Sequence, residues 1–407
     1  MPYKIRKQIR DMLKYLNLLP LRRKIMIISV LLIGGHFYSA PAGLWLLFSF
    51  TLYETVKQAG NTHVKRPLSK IVSESVFLIP GSILVLSAAF GAIYHGNYLN
   101  SLIAIFLLGP IVALAVMIEF MWTREDGLHF ARYSVMLIIP VAIYAVLFPW
   151  QNDIAGKSQS MIRLMGTFGN PNYFSYILEI FLMSSLALMY HVWNRNTKIR
   201  LIISSVVGMI CLYFTGSRTG LIAFFVGLAV FLASMSERKI MCMITVALIG
   251  IFTYASFFPD SVVELASRVF PRSVLITEGL ELRFELWNIA LRQINKQPFI
   301  GTGLFTYRKY IPVNASYRIA GTIHAHNIFI NFWLETGLPG VISFIWILVK
   351  VLKRAFDQLK DSPFRPYLAA VIAMISITVM HGMNDAPLIS SQTIIFFGIF
   401  LGISCTG

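Results

Sequence analysis

About twelve apolar runs of helix length divide this chain, and they limit its fold more than any other feature. They fall at 24–39, 42–56, 75–94, 100–120, 130–149, 171–192, 199–214, 219–235, 240–257, 328–350, 366–383 and 387–404. A bilayer-crossing helix needs about 20 mostly apolar residues, within a range of roughly 17–25. In hydrocarbon every backbone N–H and C=O must be satisfied inside the segment, so helices are the expected elements. Composition agrees, with 57% of the 407 residues hydrophobic and 13% charged, where an ordinary soluble domain has about 25% charged. The mean hydropathy is +0.69. The expected fold is all-α: one integral membrane domain over 1–407 with about twelve transmembrane helices. The opening "IMIISVLLIGG" and the small residues at 40–42 have features of a cleaved signal, but the preceding basic leader exceeds 20 residues, which favours a retained first helix.

A net charge of +17 would suggest nucleic acid or an anionic surface for a soluble chain. In a membrane protein it is read by location, because cytoplasmic loops collect Lys and Arg. Placing the leader inside also places "VKQAGNTHVKRPLSK", "WTREDGLHFAR", "WNRNTKIR", "SERK" and "KVLKRAFDQLKDSPFR" inside, and these segments hold 24 of the 35 basic residues. Shifting the parity by one span reverses the bias. The reading is a multi-pass protein of the cytoplasmic membrane with both termini inside, in contact with lipid and with no nucleic-acid partner. Cys211, Cys242 and Cys405 lie inside apolar runs without ligand spacing and read as small core residues.

The outer side then holds short links at 95–99, 215–218 and 384–386, a medium loop at 150–170, and one long loop over 258–326. In that loop "LRFELWNIALRQINKQ" places Leu282, Leu286, Ile289, Leu291 and Ile294 at helical spacing, an amphipathic helix that Pro298 and "GTG" should end. No internal repeat or low-complexity tract is evident.

The informative residues are basic groups on the wrong side. Outside the long loop only Lys157, Arg163 and Arg218 are external. Arg218 sits in the link "TGSRTG", and Arg163 precedes "GTFGNPN", where Asn170 and Asn172 flank a proline that opens a helix. A membrane-edge arginine often only snorkels to lipid phosphate, and an Asn-Pro start can be merely a well-capped helix. Company changes the weighing, because Arg283 lies in the long loop with Trp287 four residues on, and His324, His326 and Asn327 mark the outer end of the tenth run. Three arginines, a Gly/Asn loop and an imidazole on one face suit a phosphate-bearing lipid, since guanidinium forks pair bidentately with phosphate oxygens. His326 could act as general base or acid.

Zinc is the other use of "HAH", with His381 and Asp385 the nearest further ligands, but helical i, i+2 positions diverge and no metal or other cofactor is expected. Glu335, well inside the tenth run, reads as a structural partner, and Glu179 as a similar case. No G-x-S-x-G, H-E-x-x-H or P-loop occurs.

At these residues the chain resembles the O-antigen ligase and polymerase superfamily, polytopic membrane glycosyltransferases that use glycans carried on undecaprenyl diphosphate. The motifs are "RLMGTFGNPN" (163–172), "TGSRTGLIA" (215–223), "LRFELWNIALRQINKQPFIGTGLFTY" (282–307) and "HAHNIFINFWLETGLPG" (324–340). They cover roughly 160–340. The resemblance implies a GT-C-like fold and a metal-independent, inverting transfer at the outer face of the membrane. It implies His326 and Arg218 as catalytic residues, with Arg163, Arg283, Asn170, Asn172, His324 and Asn327 around the substrate. The partners implied are an undecaprenyl-diphosphate-linked glycan donor and a lipid or glycan acceptor. A ligase is the first expectation, a repeat-unit polymerase the alternative, and a transporter of an anionic lipid or sugar the reading from another class.

Overall fold

The computed structural model describes residues 19–36, 38–59, 68–148, 163–191, 194–235, 276–359 and 363–406. The run at 240–257, Cys242, Lys157 and the first part of the long loop lie outside them. Among the described residues every regular element is helical and there is no strand. In chain order the helices are α1 (Leu21–Gly35), α2 (Ala40–Ala59), α3 (Leu68–Glu74), α4 (Leu78–Tyr94), α5 (Tyr98–Met121), α6 (Arg124–Leu147) and α7 (Pro171–Met189). There follow α8 (Arg195–Phe214), α9 (Arg218–Ser234), α10 (Ile276–Lys296), α11 (Ile328–Leu359), α12 (Arg365–Gly382) and α13 (Ser391–Ser404). Six of them, α5, α6, α7, α8, α11 and α12, are long and apolar enough to cross a membrane, while α4, α9 and α13 are apolar but shorter.

Local chemistry sets the starts of these helices. Thr123 and Asp126 form a reciprocal capping box at α6, and the side chains of Asn170, Asn194 and Ser217 cap α7, α8 and α9. Pro171 occupies the first turn of α7, where a missing N–H costs nothing. Inside α5 the backbone widens to a π-turn over Ala104–Leu108, just ahead of Gly109-Pro110. A proline cannot donate to the carbonyl four residues back, so the ladder must rearrange there.

The centre of the bundle is α7. It packs against α6, α8, α9 and α12, and nearly all of its side chains from Tyr173 to Leu188 are buried. Phe181 of α7 meets Phe396 of α13 edge-on, with ring centroids 5.1 Å apart. The pairs α9 with α12 and α4 with α11 pack along their lengths. Cys211 and Cys405 are buried and free, as small core residues should be.

The expected amphipathic helix is present as α10 and ends before Pro298. Leu286, Ile289 and Ile294 are buried against Tyr307, Ile319, Ala325 and Leu334. The segment after it docks into a break in α11. At Gly337 the backbone leaves the helix with φ 69° and ψ 177°. The freed groups bind the loop: Leu338 N donates to Pro298 O (3.0 Å), Thr302 N to Leu334 O (2.9 Å) and Gly303 N to Glu335 O (2.9 Å). Trp333 Nε1 also donates to Pro298 O, at 2.8 Å. Three glycines make this fit possible. A Cβ on Gly91 would stand 2.2 Å from Gly301 O, one on Gly301 2.4 Å from Glu335 O, and one on Gly337 2.4 Å from Phe299 O. Glu335 is buried at this break, with its carboxylate near the backbone of Phe305, Thr306 and Tyr307 and the Asn331 side chain.

Candidate active site

Three helix ends and two links converge where α7 begins. Residues 163 and 164 run beside the end of α8: Leu164 N donates to Phe214 O at 3.0 Å, and Arg163 Nε donates to Thr215 O at 2.7 Å. Arg163 lies along Gly216, where a Cβ would stand 3.3 Å from Nε. Its Nη2 donates to Asn172 Oδ1 at 3.0 Å, and Asn172 Nδ2 donates to Asp385 Oδ2 at 2.5 Å. Asp385 follows the end of α12 and is 1% exposed.

His326 Nδ1 lies 3.0 Å from Asp385 Oδ1, with the imidazole a quarter exposed. A carboxylate only accepts, so Nδ1 carries the proton and Nε2 keeps the free lone pair. The backbone at His326 is left-handed (φ 49°), an uncommon state for a side chain with a Cβ, held here by its neighbours. His326 N donates to His324 Nδ1 at 3.1 Å. The proton of neutral His324 therefore sits on Nε2, which faces Asp385 Oδ1 at 3.6 Å.

Burial alone would raise the Asp385 carboxyl, but the charge of His326 and its hydrogen bond hold it well below the usual carboxylate range. An acidic group just past a helix C-terminus is otherwise unfavourable, because the carbonyl end of the dipole is negative. His324 moves the opposite way. Burial first, then His326, push it down to about 3 against the pull of Asp385.

The arginines complete the surroundings. Burial pushes both Arg163 and Arg283 below their ordinary values, the charge of Arg218 pushes each further, and Asp385 opposes. All three guanidinium groups thus share one neighbourhood with a single carboxylate. Among the described residues neither Arg218 nor Arg283 has a hydrogen-bond or ion-pair partner. A guanidinium does not relieve desolvation by losing its proton, so the cluster has the chemistry to take an anion.

Of the residues singled out in the sequence, Arg163, Asn172, His324 and His326 join one network, and Arg218 and Arg283 stand within its electrostatic reach. Two others serve local structure. Asn170 Oδ1 accepts from Asn172 N at 2.8 Å, and Asn327 Oδ1 accepts from Phe329 N and Ile330 N at 3.0 Å while Nδ2 donates to Met383 O. Trp287 packs edge-on against Phe284, 5.2 Å between centroids. The residue that sequence reasoning missed in its present role is Asp385, considered there only as a metal ligand.

One ligand atom each from His324, His326 and Asp385 lie within 4.8 Å of one another, close enough to serve one ion. The hydrogen bonds do not suit it. His324 already accepts at Nδ1, which leaves a proton on the nitrogen that would have to ligate. His381, the other candidate ligand, turns to Glu179 instead.

Fold and site together define a helical membrane protein with an imidazole–carboxylate pair set among arginines. Residues 203–345 match the family model described as O-antigen ligase. The chain is also 29% identical over 126 residues to a Rickettsia felis protein named "Putative polysaccharide ligase", a similarity covering 29% of this chain and 30% of that relative. Both findings support a likeness to the O-antigen ligase superfamily and a ligase-like function in polysaccharide biosynthesis. The family match takes in Arg218, Arg283, His324 and His326 and leaves Arg163, Asn172 and Asp385 outside it.

Proposed function

We propose that this protein moves a glycan from a polyprenyl diphosphate, undecaprenyl diphosphate by resemblance, onto a hydroxyl of a surface acceptor such as lipid A core, at the outer face of the cytoplasmic membrane. One observation carries the reading: the Asp385 carboxylate that orients His326 Nδ1 at 3.0 Å is the same group whose charge reaches Arg163 and Arg283, both of which also feel Arg218. His326 Nε2 takes the proton from the acceptor hydroxyl as its oxygen attacks the anomeric carbon. The bond from that carbon to the diphosphate breaks, and the departing oxygen keeps the electron pair. A single displacement of this kind inverts the anomeric centre. Asp385 holds the imidazole in the productive tautomer and stabilises its protonated form.

The arginines act on the leaving group. Negative charge gathers on the diphosphate as the bond breaks, and preorganised donors aimed at developing charge are worth about 3–4 kcal/mol each. Arg163 is fixed by Thr215 and Asn172, whereas Arg218 and Arg283 are free to close on the phosphates. No step draws on a metal, so transfer should survive exhaustive chelation.

The test is the lipid-linked glycan pool in cells lacking this protein, with wild-type or His326→Ala copies restored. Long chains stranded on the lipid diphosphate and relieved only by the wild-type copy support a ligase. Single stranded repeat units would make it a polymerase using the same histidine. No accumulation of either would overturn glycosyl transfer and favour transport.

A further inference from the structure

Below the site a second acid–imidazole pair lies inside the bundle. His381 Nδ1 of α12 stands 3.1 Å from Glu179 Oε1 and 3.2 Å from Oε2 of α7, and both side chains are 0% exposed. Ionisable groups at such depth are costly unless paired, and they are rarely kept without a use. The transfer described above gives them none.

Three connections lead from this pair to the site. The His381 carbonyl accepts from Asn384 N (3.1 Å) and Asp385 N (3.0 Å), so the turn carrying Asp385 hangs on the residue whose ring Glu179 holds. Glu179 lies seven residues after Asn172 on α7, about two helical turns and nearly the same face. The third helix is α9, whose first residue is Arg218. It meets the pair at Gly220 with no side chain between, since a Cβ there would stand 2.8 Å from Glu179 Oε1 and 2.6 Å from Ser175 Oγ. Tyr176 closes one side, its ring edge-on to His381 at 5.7 Å and its hydroxyl 2.8 Å from Thr378 Oγ1.

We propose that Glu179 and His381 are positioning residues for the transfer: their buried pair sets α7, α9 and α12 against one another and so aims Asp385 at His326. The inference rests on the Asp385–His326 reading above. It differs from a packing role in one respect: its effect on rate must pass through Asp385.

The measurement is the rate at which glycan leaves the native lipid-diphosphate pool in membrane vesicles, per amount of folded protein. Glu179→Leu leaves His381 unpaired and can fail to fold, so the main variant is the double Glu179→Leu/His381→Leu, which removes both partners together. Well-packed apolar replacement of a buried ion pair is often neutral for stability, so it should accumulate normally and yet lose about tenfold in rate. Glu179→Gln, which still accepts from His381, should keep at least about a third of the rate. In an Asp385→Asn background the double leucine change should cost less than about twofold more, because coupled residues are not additive. A double leucine variant at wild-type rate, or a loss that multiplies in full upon Asp385→Asn, overturns the proposal. If Asp385→Asn alone transfers at wild-type rate, the dyad reading itself falls and takes this inference with it.

Discussion

At the residue scale the site depends on which atom holds which proton. Asp385→Asn should fit the same space but present an amide to His326, freeing the imidazole to take the wrong tautomer. Turnover should fall by about 10²–10⁴, the usual contribution of a positioned base, measured as glycan release per folded protein. Arg218→Lys keeps the charge and loses the fork, and a loss of at least about tenfold is expected; near-normal turnover would dismiss its phosphate role. His324 gives a pH prediction. Its folded pKa, about 3, lies below its ordinary 6.5, so the unfolded chain binds a proton first as pH falls. Stability attributable to His324 is therefore intact above the ordinary value and declines from about pH 6.5 toward 3. The apparent melting temperature in detergent should drop across that window, and His324→Asn should flatten the drop. The arginines were legible in the sequence because they break the charge bias of the loops. Asp385 was not, because its partner stands 59 positions earlier and nothing local marks an acid in a short link as the partner of a distant histidine.

At the element scale the sequence announced breaks more clearly than what fills them. "TGLPG" signals that α11 cannot run straight through, and "GTG" that the amphipathic helix has ended. That the second segment lies in the gap left by the first follows only from the fold, where Leu338 N and Gly303 N find their acceptors across it. Gly337→Ala should therefore disturb both at once. A side chain at φ 69° carries backbone strain of about 1–3 kcal/mol, and its Cβ would meet Phe299 O at 2.4 Å. Lower thermal stability together with easier proteolysis at 298–303 is the expected result. Gly220→Ala tests α9 in the same way: its methyl would push Arg218 away from the site, and turnover should fall without loss of membrane insertion.

At the scale of the whole molecule, the apolar runs defined the class, with which the helical bundle agrees, and the basic loops give the orientation expected in the membrane. The exposed Val313 of the long loop offers a check on sidedness. In a Cys242→Ser background, where the remaining Cys211 and Cys405 are buried and should stay silent, a Val313→Cys protein should react with a membrane-impermeant maleimide in intact cells, whereas Lys57→Cys should react only after lysis. The paired histidine and aspartate have a further consequence. His326, the proposed base, lies within the span matched by the family model, and Asp385, its proposed orienting acid, lies beyond it, after α12. A gene fragment that carried only the shared span would transmit the proton acceptor without the group that aims it. On the proposed mechanism the heritable unit of this chemistry extends through the turn after α12, and recombination between α11 and α12 would separate the histidine that precedes α11 from the aspartate that follows α12.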